Sequence, residues 1–385
     1  MMPVQVETKT LKDADAVGTK VDERCSKLTK ADGKAPQNSN SSGIDSRCQV
    51  AEPRSAGPFA TRKARRRYWI IVAILVVIGL AAIYGNLAWA NPMPHGTDGF
   101  WRIARLRTIN MLVIGVVSIC QALATVTFQT TTGNRIITPS LMGFESLYTL
   151  IQTAAIFFFG SAGLIYVQGT AQFVVQVALM VVFAGILYGW LLGGKYSNMQ
   201  IMLLIGIILG SAMGAMANFM QRLLDPMEYD LLQARLIGSI SNSDADYLPL
   251  AIPLVVIGIA VLYWQSPKLD ALALGKQVAT NLGVNYKRSS MLMLLLVSIL
   301  MAVSTSLVGP LTFFGFLSAM IAYQLADTYS HRYLLPMASL VGFVILSCCY
   351  FILKHVFYAE GSVSVIIEMI GGTFFLIYLF RKGKL

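Results

Sequence analysis

Glu145 and Glu368 are the only acids deep inside long apolar runs of this 385-residue chain. A carboxylate in such a run is expensive, so each must face protein or water. The chemistry open to them is narrow: proton transfer along a relay, or a polar lining for something that passes. Two isolated acids without a His, Asp or Arg relay make a thin proton path. Histidine is limited to His95, His331 and His355, with no clustering. Metal ligation and nucleophilic triads therefore lack material. Cys120, Cys348 and Cys349 fall in apolar runs and Cys25 and Cys48 in a polar N-terminal stretch, none with metal-ligand spacing. Lysine follows glycine at Gly33-Lys34, Gly194-Lys195, Gly275-Lys276 and Gly383-Lys384, but none completes G-x-x-x-x-G-K-[ST]. The inventory points away from an enzyme: no cofactor, no metal, and any ATP hydrolysis assigned to a separate chain.

The elements around these residues are those of a membrane protein. Hydrophobic residues make up 56% of the chain and charged residues 13%, against about 25% charged in a soluble domain. Residues 1–67 hold 14 Lys/Arg and 8 Asp/Glu, leaving 16 and 11 for the remainder. About half of the net charge of +11 thus lies in the tail. The rest lies mostly in short loops, where it sets orientation rather than attracting nucleic acid. The composition of residues 1–60, with Phe59 as the one aromatic, predicts disorder. The domain division is a disordered basic cytoplasmic tail, 1–67, and a transmembrane domain, 68–385. The basic run TRKARRR at 61–67 abuts Tyr68 and Trp69, an anchor with an interfacial aromatic belt.

The predicted fold is all-α and polytopic, with about ten membrane-spanning helices. The apolar segments are roughly 68–89, 109–128, 140–159, 173–192, 199–220, 247–264, 291–308, 311–326, 334–353 and 363–380. Residues 223–245 are too charged to cross, and the spacing of Leu231, Leu232 and Leu236 suits a helix at the membrane surface. With the N-terminus inside, inner loops and the C-terminal tail carry ten Lys/Arg and outer loops six. The bias predicts an N-in, C-in protein of the cell (plasma or inner) membrane. Arg102, Arg105 and Arg107 then lie outside, against the trend, where they snorkel or meet an acidic partner. In the fifth segment Gly206, Gly210 and Gly214, with Asn218 one turn on, form a small-residue stripe. Such a stripe suits close helix packing or a place beside a translocation path.

One stretch is out of character. DALALGKQVATNLGVNYKRSS, residues 270–290, reads as soluble and lies inside, between two apolar segments. Gly275 divides it into two short helices and Gly283 can cap the second. Its apolar residues Leu272, Leu274, Val278, Ala279 and Leu282 need a partner: the membrane surface or a docked soluble protein.

The pattern L-x-L-G-x-x-x-A-x-x-L-G-V at 272–284 resembles the coupling helices of the iron-chelate uptake permeases. These are the membrane subunits of ABC importers for ferric siderophores, haem and cobalamin. TFQTTTGNRIITPSLMGFESLYTLIQT (127–153), VGPLTFFGFLSA (308–319), HRYLLP (331–336) and SVIIEMIGGTFFLIYL (364–379) extend the resemblance over roughly 100–385. Lys276 and Gln277 stand where the family often has an acid, and SAMIAYQL (318–325) replaces a Pro-His-x-x-Arg segment, as in the siderophore branch.

The resemblance implies a permease subunit that translocates a ferric siderophore, driven by ATP hydrolysis on partner ATPase subunits. An extracytoplasmic solute-binding protein would deliver the cargo, and a second permease, identical or paralogous, would complete the path through the lipid bilayer. Residues 270–285, with Leu272, Leu274, Gly275, Lys276, Val278, Ala279, Leu282 and Gly283, would contact the ATPase. Arg107, and less directly Arg102 and Arg105, would face the binding protein. Gly206, Gly210, Gly214, Asn218 and Glu368 would serve the path or helix packing. An ion-coupled secondary transporter is the alternative class, and haem or cobalamin the alternative cargo.

Overall fold

The computed structural model describes residues 57–89, 97–166, 169–193, 199–237, 240, 245–357 and 362–382. The tail up to residue 56, with Cys25 and Cys48, and His95 fall outside the described residues. Among the described residues every regular element is helical. In chain order the α-helices are α1 (Arg62–Ala88), α2 (Asp98–Thr132), α3 (Phe144–Tyr166), α4 (Thr170–Gly193) and α5 (Met199–Gln221). There follow α6 (Pro226–Leu236), α7 (Leu248–Trp264), α8 (Ser266–Ala273), α9 (Lys276–Asn281) and α10 (Tyr286–Val308). The chain ends with α11 (Phe314–Ala326), α12 (His331–His355) and α13 (Val363–Lys382).

Six of these helices are long and apolar enough to cross a membrane, or seven if α7 and α8, bent by 58°, are one span. Three of the ten expected segments are instead the shorter apolar helices Phe144–Gly160, Phe314–Ala326 and Val363–Tyr378. The expected starts at 140 and 311 slip because a 3₁₀ turn (Ser140–Met142) precedes α3 and residues 309–313 precede α11 outside any helix. Surface helix α6 lies within the charged stretch 223–245, with Leu232 buried against Ile156.

The first helix starts at Arg62, inside the stretch expected to be disordered. Basic residues oppose the positive end of a helix dipole, so the start needs other support. The Thr61 hydroxyl accepts a hydrogen bond from the Ala64 amide at 3.1 Å. Phe59 is buried against the rings of Tyr68 and Tyr333, with centroids 5.3 and 4.9 Å away. The Tyr68 hydroxyl donates to the Tyr333 carbonyl at 3.0 Å.

Helix α2, about 50 Å long at 1.5 Å per residue, is the axis of the bundle. Of its most apolar window 83% is buried, as is 72% of that of α10, against 11% for α1. The remaining helices pack around this pair. Glycine sets how closely they approach. At Gly315 of α11 an added Cβ would lie 2.1 Å from the Thr125 hydroxyl of α2. At Gly342 of α12 it would lie 3.3 Å from the Ser118 carbonyl. Outward faces of α1, α4 and α5 remain apolar and exposed, for example Val77, Ile186 and Ile208, as surfaces in contact with lipid or another membrane chain are.

The glycine stripe of α5 packs within the chain. Gly210 faces Gly143, whose φ of +95° is open to glycine but not to side-chain-bearing residues without strain. A Cβ on Gly210 would sit 2.8 Å from the Gly143 Cα, and one on Gly206 would sit 2.6 Å from the flexible tip of Met142. One on Gly214 would meet only Ser146, at 3.6 Å. Gly210→Ala therefore pushes backbone against backbone and is expected to cost about 1–3 kcal/mol. Gly214→Ala is expected to be neutral or to gain up to about 1 kcal/mol of helix propensity. The thermal unfolding midpoints of the two detergent-solubilised variants check this; equal midpoints would contradict it.

Candidate functional site

The stretch 270–285 forms the two short helices expected from its glycines, although the first begins earlier, at Ser266. Gly275, at φ +92°, separates α8 from α9 with nothing within reach of an added Cβ. Gly283 ends α9 at φ +81°, with its own amide on the Thr280 carbonyl and that of Val284 on the Ala279 carbonyl, both at 3.0 Å. That is the paired C-terminal bonding a glycine favours. The apolar residues divide into two sets. Leu269, Leu272 and Ala279 are buried against the chain. Leu274, Val278 and Leu282 are 59%, 44% and 61% exposed, with Lys276 exposed beside them. A three-residue apolar ridge thus stands out from the bundle.

At the start of α2 the arginines have different surroundings. Arg102 and Arg105 are exposed. Arg107 is half-buried, and its guanidinium donates to the carbonyls of Asn86, Leu87 and Trp89 at 3.3, 3.2 and 2.9 Å. These carbonyls belong to the end of α1, where no helical amide is left to bond them and a cation is favoured. Arg107 is thus bonded within the chain, while Arg102 and Arg105 stand exposed.

The two isolated acids lie on helices that both approach the non-helical stretch 309–313. Glu145 lies in the first turn of α3, not deep in a helix. Its Oε2 accepts from the Thr312 hydroxyl at 2.8 Å. Glu368 is exposed on the surface of α13. The non-helical stretch 309–313 joins the two, since a Cβ added to Gly371 of α13 would lie 2.7 Å from the Phe313 Cβ. Asn218, one turn beyond Gly214 on α5, is exposed.

Two features carried no sequence signal. A cavity of about 640 Å³ lies where α3, α4 and the end of α10 meet beside α6, lined by Tyr148, Gln152, Gln172, Gln176, Arg235 and Asp246 among others. The Gln152 amide donates to the Gln176 side-chain carbonyl at 2.9 Å inside it. At α8, His331 meets Asp270 and Thr130 at 2.6 and 2.7 Å. The three residues lie in separate helices, so spacing along the chain could not reveal them. Among the described residues no group of three or more His, Cys, Asp or Glu could hold a metal.

Residues 69–382 match the FecCD transport family. The chain is 48% identical to the petrobactin import system permease protein FatC of Bacillus anthracis, over 87% of this chain and 94% of the relative. It is 36% identical to the petrobactin import system permease protein YclO of Bacillus subtilis (strain 168), over 80% of this chain and 95% of the relative. A solved structure described as a metal-chelate type ABC transporter in an inward-facing conformation superposes with a TM-score of 0.69. That match has 22% identity and covers 82% of this chain and 100% of the other, a likeness of fold. The chain belongs to the FecCD transport family. It is a permease, the translocation component of an ABC importer and not an enzyme.

Arg107→Ala removes three charge-assisted bonds to the end of α1 and is expected to destabilise the protein by about 1.5–3 kcal/mol. Arg102→Ala and Arg105→Ala, at exposed sites, are expected to stay within about 0.5 kcal/mol of wild type. Unfolding midpoints of the three variants in one detergent check the ranking, and an unchanged midpoint for Arg107→Ala would contradict the capping role.

Proposed function

We propose that this permease moves a ferric siderophore inward across the cell membrane, paired with a second copy or a paralogous permease. The observation that carries the drive mechanism is the exposed ridge of Leu274, Val278 and Leu282 on two short helices joined at Gly275. A soluble ATPase beneath the membrane covers this ridge and pushes on it as it closes on ATP. Lys276 rims the contact, and Leu272, Ala279 and Gly283 hold the helices in shape from within. The cargo class is supported by the 48% and 36% identical relatives, both petrobactin import permeases. The chain's own inventory agrees: a chelated ion brings its ligands with it, so the permease needs no metal site.

The topology of this reading is ten crossings with both termini inside and 1–67 as a cytoplasmic tail. The six long helices, α7 and the three shorter apolar helices make up the ten, with α8 turning away from α7 by 58° beneath the membrane. Helix α11, with 13 residues, reaches only about 20 Å. It is buried for most of its length, and non-helical backbone at membrane depth is tolerated where protein covers it. Arg102 and Arg105 then face outward and meet acidic groups on a solute-binding protein. Glu368 and Asn218, polar groups on exposed helix faces, line the path or the contact with the second permease, because lipid would penalise the carboxylate heavily.

Leu274→Glu or Val278→Glu places a charge in the ATPase contact, at a cost of several kcal/mol if it stays ionised and unpaired. The permease is expected to insert normally, fail to co-purify with its ATPase and lose uptake of the labelled iron chelate. Normal pull-down and uptake in both variants would refute the docking face.

Arg102→Glu with Arg105→Glu is expected to weaken docking of the loaded binding protein by up to about 1 kcal/mol per exposed pair lost. The difference should shrink as salt screens it. Binding isotherms at low and high salt measure it, and equal affinity at low salt would remove these arginines from the docking surface.

A further inference from the structure

We infer that His331 is a strut that carries movement of α8 into the transport core, through Asp270 on one side and Thr130 on the other. This deepens the proposed function and rests on the reading of α8 and α9 as the ATPase-docking face. Asp270 lies in the middle of α8. Its Oδ1 accepts the Nδ1–H of His331 at 2.6 Å and the backbone amide of His331 at 2.8 Å. A carboxylate only accepts, so the proton on this side belongs to the ring. In the neutral ring Nε2 is then an acceptor, and the Thr130 hydroxyl donates to it across 2.7 Å. Thr130 stands in the last turn of α2, the most buried of the spanning helices. The ring is buried, its side chain 4% exposed.

Three elements therefore meet at one imidazole: α8, the start of α12 and the end of α2. The residue before α12, Ser330, makes no side-chain cap of its own. Its hydroxyl instead donates to Asp270 Oδ2 at 3.4 Å, so an acid of α8 caps the amide end of α12, where negative charge is favoured. Leu269 and Leu272 hold α8 against the bundle, but apolar contact has no direction. Hydrogen bonds do, and they weaken steeply when bent. A push on the ridge beyond Gly275 displaces α8, and the Asp270–His331–Thr130 line makes α12 and α2 follow.

The arrangement resembles a nucleophilic triad in outline only. Thr130 sits inside a helix whose amides are engaged in the helical ladder, and an oxyanion needs donors aimed at open space.

The test uses the assembled complex of permease, ATPase and binding protein in proteoliposomes, with three readouts: ATPase pull-down, ATP hydrolysis, and iron-chelate uptake per ATP hydrolysed. His331→Gln is expected to keep a side-chain bond to Thr130 and lose the one to Asp270, whereas His331→Asn is expected to do the reverse; the backbone amide bond to Asp270 stays in both. Both are expected to keep pull-down and hydrolysis and to lower uptake per ATP about tenfold, the scale of a coupling free energy between sites. Thr130→Val is expected to do the same while leaving the Asp270 cap intact, and Thr130→Ser, which restores the hydroxyl, to recover the wild-type ratio. If the histidine variants do not accumulate, the threonine pair decides.

An unchanged ratio in all variants that assemble would overturn the strut. So would loss of pull-down together with uptake, which would mean that the network only shapes the docking face. A role in stability alone would lower abundance and leave the ratio untouched. Failure of the docking reading is visible separately, as normal ATPase pull-down with Leu274→Glu.

Discussion

The ends of helices, not their middles, govern where the few charges of this protein go. In a bilayer a helix satisfies its own backbone except for the first amides and the last carbonyls. Those groups need partners, and water is scarce. Arg107 of α2 gives three bonds to the end of α1. Asp270 of α8 bonds the first amide of α12. Glu145 sits in the opening turn of α3, with Thr312 on its carboxylate. In the first two cases the capping group comes from another helix, so the bond that completes one element also fixes its position against a neighbour.

Close packing does the rest. Apolar attraction between helices gives little direction when lipid is equally apolar, and small residues let backbones approach instead. Gly210 against Gly143, Gly315 against Thr125 and Gly342 against Ser118 are such approaches. They tie α5 to the turn before α3, and α11 and α12 to the central α2. The core built this way is most buried where α2 and α10 run together and leaves apolar faces on α1, α4 and α5 for lipid or a second membrane chain.

Two exposed features carry the proposed contacts. The apolar ridge on α8 and α9, tied to the core through Asp270, His331 and Thr130, is the proposed surface for a soluble ATPase. The exposed Arg102 and Arg105 at the start of α2 are the proposed contact for a binding protein. Glu145 and Thr312 bond beside the stretch 309–313 that α11 follows. The same scarcity of charge that marks the chain as membranous makes each remaining charged residue informative.

The sequence by itself determined the features that depend on short-range chemistry. Runs of apolar length mark the spanning helices, and loop basicity sets their expected direction. Gly275 and Gly283 mark the break and the end of the two short helices because positive φ favours glycine. The motifs between 127 and 379 were enough to point to the family. Tertiary structure decided everything that required two distant segments to meet. It gave Arg107 to the end of α1, brought the helices of Glu145 and Glu368 to one stretch at 309–313, and turned the glycine stripe against Gly143. It sorted the five apolar residues of 270–285 into a buried and an exposed set. It also made His331, apparently solitary, the meeting point of Asp270, 61 residues before it, and Thr130, 201 residues before it. Local pattern reports what a residue needs, such as a partner for a charge or space for no side chain. Which distant group meets that need depends on how the helices pack, and spacing along the chain does not encode it.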